Sequence, residues 1–392
     1  MIISLAYIFL LAMSLSFIFK KVKCPSLLAY IITGILLGPY VLNLIDNSIL
    51  NISSELRQIA LIIILIRAGI TLNISDLKKV GRPAILMCFI PACFEMIGMC
   101  LLAPKFLGIT LLESAILGAV IAAVSPAVIV PKMIKLIEDG YGKNNSIPQL
   151  ILAGASVDDV FVIVMFTSFT GLATGDSLNL FKFISIPISI ILGILAGLFT
   201  GFVLIKLFKK IHMRDTVKVI ILLSISFILV TLETWLKGII PISGLIAVMS
   251  MGIMINKKYN ILAKRITGKF SKLWVASEIM LFVLVGASVN ITYALNAGFN
   301  TIVLVLAVLV FRILGVFGCF IKTNLSFKEK IFCMIAYMPK ATVQAAIGGI
   351  PLAMGLECGE IVLTVAVIAI LITATLGAFG IDLTYKKLLD NK

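Results

Sequence analysis

Gly154-Ala155-Ser156-Val157-Asp158-Asp159-Val160-Phe161-Val162-Ile163-Val164-Met165-Phe166 sets two adjacent carboxylates inside a run otherwise fit only for lipid or packed protein. The apolar segment around it extends from about residue 147 to 172, so Asp158 and Asp159 fall near its middle. An uncompensated charge at that depth costs at least roughly 2.5–3.5 kcal/mol on insertion scales. Compensating groups are therefore expected elsewhere in the chain.

The composition agrees with a lipid setting. Of 392 residues 61% are apolar and 13% charged, and the mean hydropathy is +1.19, far above that of a water-soluble domain. An all-α polytopic membrane protein is expected. The net charge of +15 does not imply nucleic-acid binding, because the cations flank the apolar runs and form no stripe. Cys24, Cys88, Cys93, Cys100, Cys319, Cys333 and Cys358 show neither CxxC nor Cys/His spacing, so no disulfide framework or zinc site is expected. The only histidine, His212, lies in a basic loop, which leaves proton chemistry to carboxylates and lysine. The run from Ile2 to Phe19 has no basic residues before it and no small-residue cleavage site after it. It reads as a retained span.

Apolar runs of about 20 residues cross a hydrocarbon core. Thirteen are present, at approximately 2–19, 25–45, 56–73, 83–104, 110–136, 147–172, 183–205, 217–236, 239–255, 273–290, 298–321, 329–354 and 359–381. The odd-numbered connections and the C-terminal tail carry 26 Lys and Arg, and the even-numbered connections carry four: Arg57, Lys105, Lys182 and Lys237. That asymmetry predicts an outside N-terminus and a cytoplasmic C-terminus, in the cell membrane. The connections are short and nine residues follow Leu383. A single membrane domain over 1–392 is expected, with no soluble domain.

Two spans are interrupted at mid-depth. The fifth contains Ala122-Ala123-Val124-Ser125-Pro126-Ala127-Val128-Ile129-Val130-Pro131, and the twelfth Met338-Pro339-Lys340-Ala341-Thr342-Val343-Gln344-Ala345-Ala346-Ile347-Gly348-Gly349-Ile350-Pro351. Proline removes a backbone donor and clashes with the preceding turn, so each helix is expected to kink or unwind there. The breaks are seven spans apart, and an odd offset reverses direction through the membrane. Spans 1–6 and 8–13 therefore read as inverted repeats, with span 7 (about 183–205) as linker. Glu95 in span 4 and Arg312 in span 11 follow the same spacing. Discontinuous helices at matching positions of two inverted halves point to a transporter with its site at the midplane.

Five charged side chains lie at that depth: Glu95, Asp158, Asp159, Arg312 and Lys340. Adjacent helical positions point about 100° apart, so the two aspartates cannot both face one ligand head-on. Burial and mutual repulsion disfavour two neighbouring negative charges, so a proton and a monovalent cation compete for the same oxygens. Competition at one site with alternating access is antiport. Arg312 keeps its proton, whereas a buried lysine can release one. Arg312 is accordingly expected to pair with Glu95, and Lys340 to carry a proton or to compensate helix dipoles. Ser125 either offers the cation a neutral oxygen or satisfies backbone groups freed beside Pro126. Arg67, near a span end, is expected to snorkel. Gly34-Ile35-Leu36-Leu37-Gly38-Pro39 suggests close helix packing.

These residues resemble the cation/proton antiporter superfamily, and within it the NHA-type sodium/proton antiporters. The likeness rests on Gly34 to Pro39, Ser125-Pro126-Ala127-Val128, Ala155-Ser156-Val157-Asp158-Asp159, Arg312, and Pro339-Lys340-Ala341-Thr342-Val343-Gln344-Ala345-Ala346. It implies a homodimer in the lipid bilayer, with the sodium/proton antiporter fold of about 13 transmembrane helices and two crossing broken helices. It further implies exchange of Na⁺ or Li⁺ for H⁺ by an elevator-like movement, without enzymatic activity or a cofactor. By motif match Asp159 is the main ion-binding carboxylate with Asp158 beside it, and Glu95 and Arg312 form the core ion pair. The alternatives are a Kef-like K⁺/H⁺ antiporter without its regulatory domain and a non-transporting membrane scaffold. An intramembrane aspartyl protease is disfavoured, because its Gly-x-Gly-Asp signature is missing.

Overall fold

The computed structural model describes residues 1–22, 24–71, 81–173, 180–236 and 240–390. Lys23, Lys78, Lys79, Lys237 and Lys392, counted among the cations flanking the spans, lie outside the described residues. In chain order the helices are α1 (Ile2–Lys21), α2 (Ser26–Leu37), α3 (Asn47–Asn51), α4 (Ser53–Thr71), α5 (Arg82–Met87), α6 (Ile90–Leu107), α7 (Leu111–Ile121), α8 (Pro126–Glu138), α9 (Ile147–Ala173), α10 (Leu180–Lys210), α11 (Asp215–Trp235), α12 (Gly244–Lys258), α13 (Asn260–Ala287), α14 (Ile291–Cys319), α15 (Phe327–Ala336), α16 (Thr342–Ile347), α17 (Ile350–Ala353) and α18 (Gly359–Leu388).

Each of the thirteen expected spans falls on one of these helices or on a consecutive set of them. Among the described residues, eight helical segments are long and apolar enough to cross a membrane by themselves. Two boundaries differ most from expectation. The second span ends as a helix at Leu37, where the Gly38 N–H bonds back to Gly34 O at 2.8 Å and Pro39 stops further winding. The tenth starts at Asn260 and not near 273. Lys264, Arg265 and Lys272 sit on an exposed face, while Leu262, Ala263, Ile266, Phe270 and Trp274 bury the other. An amphipathic helix, not a loop, carries those cations.

The chain divides into two compact units, one comprising Met1–Arg57, Ser75–Thr174 and Ile279–Lys392, the other Gln58–Ile74 and Gly175–Glu278. In the second unit α10 packs on α12, and α12 on α11. Gly193, Gly197 and Gly201 recur every fourth residue of α10 and let the helix axes approach closely. A methyl group added at Gly193 would stand 2.7 Å from Ser243 O. Arg67 and Glu278 both belong to this unit and interact electrostatically.

In the first unit α6 lies against α14, with α7 packed on α6 and α9. The close approach of α6 and α14 requires glycine, since an added Cβ at Gly315 would stand 2.9 Å from Pro91 Cα. Gly34 on α2 and Gly38 just past its end likewise abut the last turns of α13. Both interrupted spans open with a capping box, in which a hydroxyl and a glutamate three residues later exchange hydrogen bonds with the helix start. Thr110 and Glu113 form it at α7, and Ser326 and Glu329 at α15. Both then break. Residues 122–125 separate α7 from α8, and residues 337–341 separate α15 from α16. Pro126 takes the first position of α8, where its missing N–H costs nothing.

Candidate functional site

The two breaks meet. Ser125 N–H donates to Pro339 O at 2.8 Å, a backbone bond between the unwound segments. Unwinding leaves carbonyls without helical partners, and side chains from the second break take them up. Gln344 Nε2 donates to Ala123 O at 2.7 Å and to Ile121 O at 3.2 Å. Lys340 Nζ also reaches Ile121 O, at 2.6 Å. Ser125 is buried with its hydroxyl 3.5 Å from Thr342 Oγ1. It makes no side-chain cap on α8, so the geometry does not assign it to freed backbone groups there.

The charged residues gather around this crossing. Arg312, fully buried on α14, spans the group: Nη1 contacts Glu95 Oε2 at 2.7 Å, Nη2 contacts Asp158 Oδ2 at 3.2 Å, and Nε donates to Tyr337 O at 2.7 Å. Nη1 also donates to Ala122 O. One guanidinium thus ties α6, α9 and both breaks, a use of its rigid fork that lysine cannot reproduce. Its carbon lies 5.2 Å from the Tyr337 ring centroid. Glu95 turns its other oxygen to Lys340 Nζ at 2.6 Å.

Asp158 and Asp159 part company, as adjacent helical positions must. Asp158 is fully buried, and its Oδ2 accepts from Val124 N–H in the first break at 2.8 Å as well as from Arg312. Asp159 is half-buried and has no ion pair among the described residues. The Oδ1 atoms of both aspartates are buried without a hydrogen-bond partner among the described residues. Counting charges, Arg312 and Lys340 balance Glu95 and Asp158, and the Asp159 carboxylate is left over.

Glu95, Asp158, Arg312, Lys340 and Ser125 therefore gather at the crossing, Pro126 follows Ser125 at the start of α8, and Asp159 stands next to Asp158 in the chain with no ion pair among the described residues. Three partners escaped the sequence reading: Glu95 as the acid facing Lys340, Asp158 as the second acid on Arg312, and Gln344 as the side chain serving the first break. Gln344 was visible as a buried amide inside the second interrupted stretch, a residue type that must find hydrogen bonds in lipid. Among the described residues no cluster of three or more His, Cys, Asp or Glu stands ready to hold a resident metal ion.

The family described as sodium/hydrogen exchanger, transmembrane, matches residues 6–387. Sodium/hydrogen exchanger 9B2 of Mus musculus is 33% identical over 379 residues, which is 93% of this chain and 69% of the relative. The 9B2 protein of Xenopus tropicalis is 34% identical over 351 residues, 86% of this chain and 64% of the relative. The chain thus spans about two thirds of the length of these relatives. Among solved structures, the sodium proton antiporter MjNhaP1 from Methanocaldococcus jannaschii at pH 8 shares the fold, with a TM-score of 0.86 at 22% identity over 99% of both chains.

Proposed function

Because the chain belongs to the sodium/hydrogen exchanger family, whose members are membrane transporters and not enzymes, we propose that it exchanges a monovalent cation, Na⁺ or Li⁺, for H⁺ at Asp159, with Asp158 beside it. The observation that carries this reading is the charge count: four buried charges close on one another through contacts of 2.6–3.2 Å, and Asp159 alone is unbalanced. A proton or a cation neutralises that remainder equally well, and the two exclude each other from the same oxygens. One site and two exclusive occupants suffice for antiport when the site opens alternately to either side.

Each neighbour has a part. Arg312 holds Asp158 Oδ2 in place, and the unpartnered Oδ1 can reach the cation only from the side, as a weaker partner to Asp159. Ser125, whose hydroxyl is uncommitted to the helix cap, can supply a neutral oxygen. Glu95 masks Arg312 and Lys340, so their positive charges do not repel the incoming cation. Na⁺ or Li⁺ and H⁺ are cargo, and no cofactor enters the exchange. Inverted repeats over spans 1–6 and 8–13, linked by span 7, belong to the same proposal. Nearly constant sequence offsets support them: Thr110 to Ser326 and Glu113 to Glu329 are 216 residues apart, and Glu95 to Arg312 and Ser125 to Thr342 are 217 apart. An elevator-like shift of the body bearing the site, a homodimeric assembly, and a cell-membrane location with the N-terminus outside complete it. That all seven site residues lie in one compact unit favours the elevator, and the lysine asymmetry favours the orientation.

The test is cation-induced dissipation of an imposed pH gradient in proteoliposomes, for the wild type and Asp159→Asn. A response to Na⁺ or Li⁺ that vanishes in the variant supports the reading. A wild type silent towards Na⁺, Li⁺ and K⁺ refutes it, as does an Asp159→Asn protein that transports normally. Repeating the assay under an imposed membrane potential separates one-for-one exchange, which ignores the potential, from exchange that moves net charge.

A further inference from the structure

A further buried cation lies outside the site just described. The sequence reading counts Arg57 among the cations of an even-numbered connection. The structure instead buries it in the first turns of α4, 5% exposed. Its Nε donates to Ser53 O at 3.2 Å, and its Nη1 is buried without a hydrogen-bond partner among the described residues. No carboxylate lies within ion-pair distance of it among the described residues. Glu55, two positions earlier, is exposed and accepts from Ser54 Oγ at 2.8 Å. An uncompensated guanidinium at such burial is costly.

Arg57 lines a cavity of about 170 Å³ together with Asn51, Ser53, Ser288, Gly349 and Leu352. Ser53 Oγ is itself buried and unpartnered among the described residues. Two unmet polar groups therefore face one space. The first turn of a 19-residue helix adds its positive dipole end on the same side. Gly349 makes the arrangement possible: a Cβ there would land on Arg57 Nη1. The lining segments all come from even-numbered connections or the span ends beside them, so they share the membrane face opposite the lysine-rich one.

We propose that this cavity binds an oxyanion of the phosphate class, either free or as the headgroup of a lipid. A planar two-nitrogen fork matches paired oxygens, a neighbouring hydroxyl can donate a third bond, and the cavity has room for a tetrahedral group. Neither unmet group takes part in the cation site, so the proposal is independent of the antiport reading.

The test uses the purified full chain in uncharged detergent and chloride-free buffer. Equilibrium dialysis measures binding of labelled inorganic phosphate, and thermal melts are titrated with phosphate or with phosphatidylglycerol. Two variants accompany the wild type. Arg57→Gln removes the fork, and Gly349→Ala displaces it while keeping the arginine, at a position whose backbone any residue adopts. Saturable phosphate binding near one per chain, weakened roughly tenfold or more in either variant that elutes as a monodisperse species, supports a free-anion site. Stabilisation by phosphatidylglycerol but not by phosphate, lost in the same variants, supports the headgroup. If neither probe distinguishes the wild type from Gly349→Ala, the proposal is overturned.

Discussion

Glu95 stands between two cations, and removing its charge gives the sharpest check on the buried network. Lys340 Nζ lies 2.6 Å from one of its oxygens and Arg312 Nη1 lies 2.7 Å from the other. In Glu95→Gln the two cations face each other across a neutral amide. At an effective dielectric near 20, unit charges about 7 Å apart repel by roughly 2 kcal/mol. Breaking a buried pair from one side costs about 3–5 kcal/mol in total, since a charge is left unmet. Replacing Lys340 by Met in the same chain removes the repulsion and one of the stranded charges. The double variant Glu95→Gln/Lys340→Met is therefore expected to be more stable than Glu95→Gln alone, by roughly 2 kcal/mol. A fluorogenic thiol reagent during a thermal ramp reads this directly, because Cys88, Cys319, Cys333 and Cys358 are buried in the folded chain. A double variant that melts at or below Glu95→Gln would refute the assignment of Lys340 as the partner of Glu95.

Other outcomes follow from the same geometry. Asp159→Asn is expected to melt no lower than the wild type while losing cation-coupled proton movement, since its carboxylate holds no ion pair among the described residues. Asp158→Asn is expected to lower the melting temperature, because Val124 N–H and Arg312 both depend on that carboxylate, with a cost of about 1–3 kcal/mol. Arg312→Lys keeps the charge but cannot reach Glu95, Asp158 and Tyr337 O together. It is expected to be both destabilised and inactive, and full transport by it would argue against the fork. Gln344→Leu strands Ala123 O, at a cost of about 1–3 kcal/mol in the same thermal ramp.

Much of this architecture was legible because lipid punishes polar atoms so heavily. Apolar runs fixed thirteen spans, and prolines beside polar residues marked both breaks. Glu95, Asp158, Asp159, Arg312 and Lys340 stood out because nothing else charged lies so deep. Their pairing was less legible. Glu95 and Lys340 are 245 positions apart in the chain, and only the crossing of two unwound segments brings them together. The start of α13 was misplaced because cation count was read as loop, whereas the buried side of that helix follows a period of nearly four. Arg57 was misread in the same manner. Its burial depends on Gly349, almost three hundred residues away, and no local pattern around Arg57 announces it.

The bond from Ser125 N–H to Pro339 O has a consequence for how this chain can diverge. It joins the two unwound segments through main-chain atoms alone, so no side-chain replacement at position 339 can delete its acceptor. At position 125 only proline removes the donor. The seam between the two breaks is thereby insulated from nearly all single-residue variation, and the side chains around it can be exchanged while this main-chain contact keeps both its donor and its acceptor.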